Sequence, residues 1–216
     1  MKSIRIPVAN EGVPFILFAA FATVIMALLN QQVATLTGLA VTAFVLYFFR
    51  DPSRIVPNDD LALISPADGR IIVIDPKVHD DRFLMADVQK ISIFMNVFDV
   101  HVNRTPITGT VEQIIYSSGK FYSADSMRAG LENETCALIL STIGNRRLAC
   151  VQMAGLIARR IVCWAEKGDT LTKGSRFGMI RFGSRVDLYL PAELRIEVKN
   201  GQRVKAGETI LGRFPL

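Results

Sequence analysis

Histidine and cysteine are both scarce in this chain of 216 residues, at two and three. His79 and His101 have no H-x-x-x-H partner, which excludes a His-rich zinc or iron centre, so no metal is expected. Cys136, Cys150 and Cys163 show no C-x-x-C spacing. A disulfide scaffold and a zinc ribbon fall away, leaving buried reduced thiols of the kind a cytoplasmic domain carries. No cluster of Lys and Arg interleaved with aromatics occurs, and 25 basic against 20 acidic residues give only +5. Nucleic acid is therefore not an expected partner, whereas an anionic membrane surface or substrate suits this balance. There is no G-x-S-x-G elbow. Half the residues are apolar and only 15 are glycine, which excludes disorder and collagen.

Charge is missing altogether from Gly12 to Phe49, 38 consecutive residues. Two apolar runs of 17 residues, Val13–Leu29 and Val33–Phe49, are separated by Asn30-Gln31-Gln32. As helix each run is about 26 Å long, near the lower limit for a bilayer core of about 30 Å. The polar triplet predicts the tip of a helical hairpin. Lys2 and Arg5 before it, and Arg50 and Arg54 behind it, put both ends on the cytoplasmic side of the cell membrane. A secretory signal peptide is the competing reading of the first run, and the second run close behind argues against it. A full span and a shallow hairpin both remain open, as does a hairpin buried in a globular core.

Residues 1–49 thus read as a membrane hairpin and residues 50–216 as a separate domain. The join is polar and punctuated by Pro52 and Pro57. Beyond it the pattern predicts short strands: Arg70–Ile74, Lys90–Met95, Gly109–Tyr116, Ala137–Ser141, Leu148–Met153, Phe177–Phe182, Arg185–Leu190 and Leu194–Val198. Alternation over Arg185–Leu190 predicts a half-buried strand. Asp125–Leu131 and Ala154–Ala165 hint at helix. Gly168–Gly174 and Gly201–Gly207 repeat Gly-x-x-apolar-x-x-Gly, with Gly178 and Gly212 following, a spacing that suits left-handed turns between barrel strands. Residues 198–208 resemble a hammerhead turn of the biotinyl/lipoyl-like fold. The expected fold is mainly β, a barrel-sandwich behind an N-terminal membrane-inserted helical hairpin.

Gly-Ser occurs as Gly174-Ser175 and Gly183-Ser184, and by spacing alone either is an ordinary turn. The second stands between two apolar strands. Around it, Lys173-Gly174-Ser175-Arg176-Phe177-Gly178-Met179-Ile180-Arg181-Phe182-Gly183-Ser184-Arg185-Val186-Asp187-Leu188-Tyr189-Leu190-Pro191 closely resembles the self-cleavage region of the short bacterial and archaeal branch of the phosphatidylserine decarboxylases. Three further blocks agree in order: Ser65–Gly69, Asn96–Gly109 and Gln152–Ile161. The resemblance runs from about Arg50 to Leu216.

The resemblance implies an enzyme of phospholipid biosynthesis that cuts itself between Gly183 and Ser184, into 1–183 (beta) and 184–216 (alpha). The two fragments stay together as a heterodimer, with or without further oligomerisation. Ser184 becomes a covalent pyruvoyl cofactor, an electron sink that forms a Schiff base with phosphatidylserine in the membrane and yields phosphatidylethanolamine. Asp68 matches the Asp of a Ser-Pro-x-Asp-Gly block that assists cleavage; on its own Asp68-Gly69 reads as a tight turn. His101 matches the first histidine of an Asp-x-His-x-x-His pattern and would shuttle the proton. Arg104 stands where longer members carry the second histidine, and reads either as a ligand for substrate phosphate or carboxylate or as a solvated strand charge. His79 lies in a charged loop and is expected to be exposed. Two other classes stay open: a membrane-anchored serine hydrolase using Ser184, His101 and Asp68 without cutting itself, and a non-enzymatic adaptor.

Overall fold

The computed structural model of the uncleaved chain describes residues 7–126, 128–156, 160–181 and 183–215. The chain forms two compact units, Met1–Ser53 and Arg54–Leu216.

The first unit is a helical hairpin, α1 (Val13–Leu28) and α2 (Gln32–Phe48). Pro14 in the first turn of α1 needs no amide partner, and Asn30, at φ 55°, makes the reversal. Gly38 lets the helices approach: a Cβ there would lie 2.5 Å from Thr23 Oγ1. The Thr23 and Thr42 hydroxyls meet at 3.3 Å, each also bonded to a carbonyl four residues back in its own helix. At the open end Val8 bridges Arg50, and Phe15 stacks on Phe49 at 5.5 Å. Phe18, Phe21, Leu28, Val33 and Leu36 point outward with most of their surface bare. Residues 10–28 form one helical stretch long and apolar enough to cross a bilayer; α2 is apolar but shorter. Lys2 and Arg5 lie outside the described residues.

The second unit is mainly β, as expected. Its strands are β1 (Ala62–Ile64), β2 (Gly69–Asp80), β3 (Ala86–Met95), β4 (Val102–Arg104), β5 (Gly109–Ser117), β6 (Thr135–Thr142) and β7 (Arg146–Ala154). Then come β8 (Ile161–Cys163), β9 (Thr170–Leu171), β10 (Arg176–Ile180), β11 (Ser184–Pro191), β12 (Arg195–Ile196), β13 (Arg203–Val204) and β14 (Ile210–Arg213). Eight of them form a curled antiparallel sheet, a half-barrel in the order β13-β2-β3-β11-β7-β6-β5-β9. The small sheets β4-β10-β8 and β1-β14-β12 complete the unit. Alternate residues of β11 explain the main core: Val186, Leu188 and Leu190 pack with Ile91, Ile93, Leu138, Leu148 and Phe177.

Four sequence expectations need correction. Arg185–Leu190 is not half-buried, because its polar face is also covered: Arg185 and Asp187 are 5% and 0% exposed. Arg185 forks onto Asp187 at 2.5 and 2.8 Å, and Lys90 reaches the same carboxylate at 3.1 Å. Burial, the largest single influence, would lower the Lys90 ammonium, but Asp187 and Tyr189 together outweigh it and hold the group above the ordinary lysine value. Secondly, Ala154–Ala165 is not a helix. Ala154 ends β7 and Ile161–Cys163 is a strand in another sheet, while residues 157–159 lie outside the described residues. Of Asp125–Leu131, only its end joins a four-residue helix, α3 (Ala129–Glu132), and Met127 lies outside the described residues.

Thirdly, Gly168, Gly174, Gly201 and Gly207 do turn with φ between 79° and 94°, but Gly178 and Gly212 sit inside strands. Gly178 is needed for close approach: a Cβ there would be 2.5 Å from the Val162 carbonyl and 2.8 Å from Gln152 Nε2. Fourthly, Cys163 is only half-buried, unlike Cys136 and Cys150. The adjacent Cys136 thiol, donating to it, lowers Cys163 to about 7.

Candidate active site

The Gly183–Ser184 bond lies where three central strands end together. Ser184 opens β11 and pairs in register with Met95, the last residue of β3, and with Ala154, the last of β7. Gly183, at φ 59°, turns the chain into the strand in a conformation that favours glycine. Nothing stands within 4 Å of where its Cβ would be, so the backbone conformation, not crowding, selects this glycine.

The neighbouring Gly155 is selected by crowding. A Cβ there would lie 2.1 Å from the Gly183 carbonyl oxygen, so only glycine leaves that carbonyl where it is. Gly155→Ala is expected to slow any chemistry at this carbonyl about a hundredfold, the scale of an ångström-sized misplacement. A time course of fragment appearance on a gel reads it, with thermal melting as the control for folding. Cutting at the wild-type rate would rule the contact out.

Ser184 is fully buried, and its hydroxyl donates to Met95 Sδ at 3.4 Å. Behind that sulfur lies a chain of buried amides. Asn103 Nδ2 donates to Met95 Sδ at 3.7 Å, and Gln152 Nε2 donates to Asn103 Oδ1 at 2.8 Å. All four residues are 0% exposed. Asn103 pairs with Gly178 across the small sheet, so the strand glycine makes room for Gln152 to arrive from the large one.

His101 is also fully buried. It precedes β4, and its carbonyl accepts the Ile180 N–H at 3.3 Å, where β10 ends on the way to Gly183. Its Nδ1 lies 2.9 Å from the Asp99 carbonyl. A carbonyl only accepts, so Nδ1 carries a proton and Nε2 is the basic nitrogen of the neutral ring. Asp99 is fixed through its carboxylate, which accepts the N–H of Asn96, three residues back, at 2.9 Å.

Asp68 is engaged elsewhere. Arg54 Nη2 donates to both oxygens of its carboxylate, at 3.0 and 2.7 Å, and the Ala206 N–H reaches it at 2.7 Å. Arg104 lies nearby: its Nη1 donates to the Gly174 carbonyl at 3.0 Å, and its Cδ and the Arg54 Cβ both flank Gly207. Among the described residues Asp68 bonds neither His101 nor Ser184, so an Asp–His–Ser relay is not assembled in the uncleaved chain. Arg104 is 5% exposed and so is not a solvated strand charge. Arg54, read in the sequence as a membrane-flanking charge, is in fact the buried partner of Asp68. His79 is exposed, with Nδ1 at 2.7 Å from Asp87, whose hydrogen bond raises the imidazole above its ordinary value.

Sequence reasoning missed Arg54 and gave no role to Gly155, Asn103 and Gln152. The one available signal was Gly178, a glycine within a strand, which marks close approach.

The family whose model matches residues 41–212 is described as phosphatidylserine decarboxylase. A curated relative from Desulfotalea psychrophila, named "Phosphatidylserine decarboxylase proenzyme", is 58% identical over 210 residues, covering 97% of this chain and 98% of its own. Relatives of the same name from Geobacter metallireducens and Syntrophotalea carbinolica are each 47% identical. The first match covers both chains entirely; the second covers 98% of this chain and 99% of the relative. With most of its length matched in both ways, the chain belongs to the phosphatidylserine decarboxylase family.

Proposed function

We propose that this enzyme converts phosphatidylserine to phosphatidylethanolamine with a pyruvoyl group that it makes by cutting its own Gly183–Ser184 bond. The observation that carries the reading is the scissile pair itself: a left-handed glycine, its carbonyl packed on Gly155, before a buried serine at the head of the central strand. The word "proenzyme" in the relatives' names agrees with a precursor that must be processed.

The cutting balances within the chain. Ser184 Oγ bonds to the Gly183 carbonyl carbon, the C–N bond breaks, and the freed amine takes a proton, leaving an ester. Loss of the Ser184 Cα proton and cleavage of Cβ–Oγ release residues up to Gly183 as a carboxylate. Water then replaces the Ser184 nitrogen, which leaves as ammonia. A serine hydroxyl needs its proton accepted and the oxyanion held. Ser184 Oγ rests on a thioether, so it must rotate toward Gly183 before it reacts.

The residues present fit a pyruvoyl group. Position 184 stays pinned between β3 and β7, and its side chain already faces the Met95 thioether, an apolar seat for a methyl. Once formed, the group supplies a carbonyl that bonds the substrate amine and draws off electrons as carbon dioxide leaves. His101 Nε2 first takes up a proton from solvent, and the imidazolium then delivers it to the substrate carbon in place of the lost carboxylate. Arg104, with Arg54 beside it, adds positive charge for the substrate phosphate or carboxylate. The apolar hairpin of residues 1–49 holds the enzyme on the cytoplasmic side of the cell membrane, where its substrate resides.

An intact-mass spectrum of the purified protein tests the reading. Two chains are expected, one ending at Gly183 and one beginning at residue 184 with the mass of a pyruvoyl terminus. A single chain with full decarboxylase activity would sink it, and a single chain hydrolysing esters would favour the serine-hydrolase reading.

A further inference from the structure

The amide pair below Ser184 has hydrogen-bonding capacity that the uncleaved chain does not use. Gln152 Nε2 donating to Asn103 Oδ1 fixes both carboxamides, leaving the Asn103 NH2 and the Gln152 carbonyl oxygen for other partners. The first finds only the Met95 thioether at 3.7 Å, a weak acceptor. The second, Gln152 Oε1, is buried with no partner among the described residues. Buried polar groups are ordinarily paired, so a lone acceptor and a poorly used donor side by side point to an absent ligand of mixed charge.

The place of the pair says which ligand. It shares the Met95 sulfur with the Ser184 hydroxyl, so it stands one side chain from the reacting residue. Maturation as proposed above carries Oγ away in the Gly183 carboxylate and sets a keto oxygen where the Ser184 nitrogen was. The donor and the acceptor remain beside the position that Oγ leaves. A serine head group carries a carboxylate and an ammonium on one carbon, complementary to one donor and one acceptor.

Resting on the decarboxylase reading, we propose that Asn103 and Gln152 recognise the amino-acid head of the substrate, Asn103 donating to its carboxylate and Gln152 accepting from its ammonium. Asn103 is then the source of specificity for serine over ethanolamine, because both head groups carry the ammonium that Gln152 accepts from. Decarboxylation removes the Asn103 contact, so turnover itself weakens the hold on the product.

The test uses the mature full-length protein in detergent, titrated calorimetrically with glycerophosphoserine and glycerophosphoethanolamine, the water-soluble head groups. Wild type is expected to prefer the serine compound by at least about tenfold, the scale of one hydrogen bond to a charged group. Asn103→Leu and Gln152→Met nearly conserve volume and are expected to mature; the first loses that preference, and the second weakens binding of both compounds. Asn103→Asp still accepts from Gln152 but sets a carboxyl against the substrate carboxylate, and should favour ethanolamine. A mature Asn103→Leu that keeps the wild-type preference, or a mature Gln152→Met that binds both compounds as wild type does, overturns the proposal, as does a wild type with no preference. Failure of all three variants to mature also overturns it, since the pair would then serve the precursor fold. A prior mass measurement separates the two readings: a wild type without the pyruvoyl terminus overturns the decarboxylase reading itself.

Discussion

Ser184→Ala is expected to remain one uncut chain, to release no carbon dioxide from phosphatidylserine, and to melt close to the wild-type precursor. The first two results follow from the chemistry: alanine has neither the oxygen that attacks Gly183 nor the leaving group that generates the pyruvoyl carbonyl. The third follows from the packing. Ser184 contributes one hydrogen bond, to a thioether, and a small side chain in a strand held on both sides. Removing it costs about 1 kcal/mol or less. Loss of both activities with the fold intact would assign the defect to the hydroxyl. A denaturing gel, a carbon dioxide assay and a melting curve suffice, and any cutting between residues 183 and 184 in this variant defeats the mechanism.

His101→Ala is expected to lower decarboxylation about a hundredfold or more per mature chain, the usual scale for a lost general acid. The Asp99 carbonyl holds one proton on Nδ1, so Nε2 is the nitrogen that takes up a second proton and passes it on. Cutting should be slowed but visible over long incubation. Asp68→Ala should show the opposite order, affecting maturation more than turnover. The structure adds a control. Asp68 is clamped by Arg54, whose side chain is 7% exposed, so removing the carboxylate strands a buried guanidinium. If Arg54→Met in the Asp68→Ala background restores cutting, Asp68 serves the fold of the site, not the proton transfer. Following fragments by gel and carbon dioxide separately distinguishes these cases. His101→Ala enzyme that matures and turns over normally would remove His101 from both steps.

The strands were legible because each carries its own signal. The alternation of Val186, Leu188 and Leu190 with Arg185, Asp187 and Tyr189 places β11 without any tertiary knowledge. What alternation cannot say is whether the second face is covered. Arg185 and Asp187 look solvated in sequence and are sealed as an ion pair in the fold. The misread helix over Ala154–Ala165 has a similar cause, since an apolar run of that length fits a helix or a strand, a turn and another strand. The reacting bond was legible only through the resemblance, because a Gly-Ser pair alone is a turn. Arg54 was hidden by distance: its partners Asp68 and Glu208 lie far along the chain, and its neighbours made it look like a membrane flank. Asn103 and Gln152 were invisible for the same reason, each joined to the other only by the meeting of two sheets.

The position of β11 between β3 and β7, with β13 on β2 and β14 on β1, has a kinetic consequence. Every strand that follows the cut, except β12, is laced to one that precedes it. The cut proposed above would therefore leave the native assembly in place while erasing the covalent link that makes its folding unimolecular. Before cutting, a melted chain can find its way back alone. After cutting, two pieces must meet again, so recovery becomes second order in protein and competes with aggregation. On the proposed maturation, the event that creates the catalyst would thus make its recovery from unfolding depend on protein concentration.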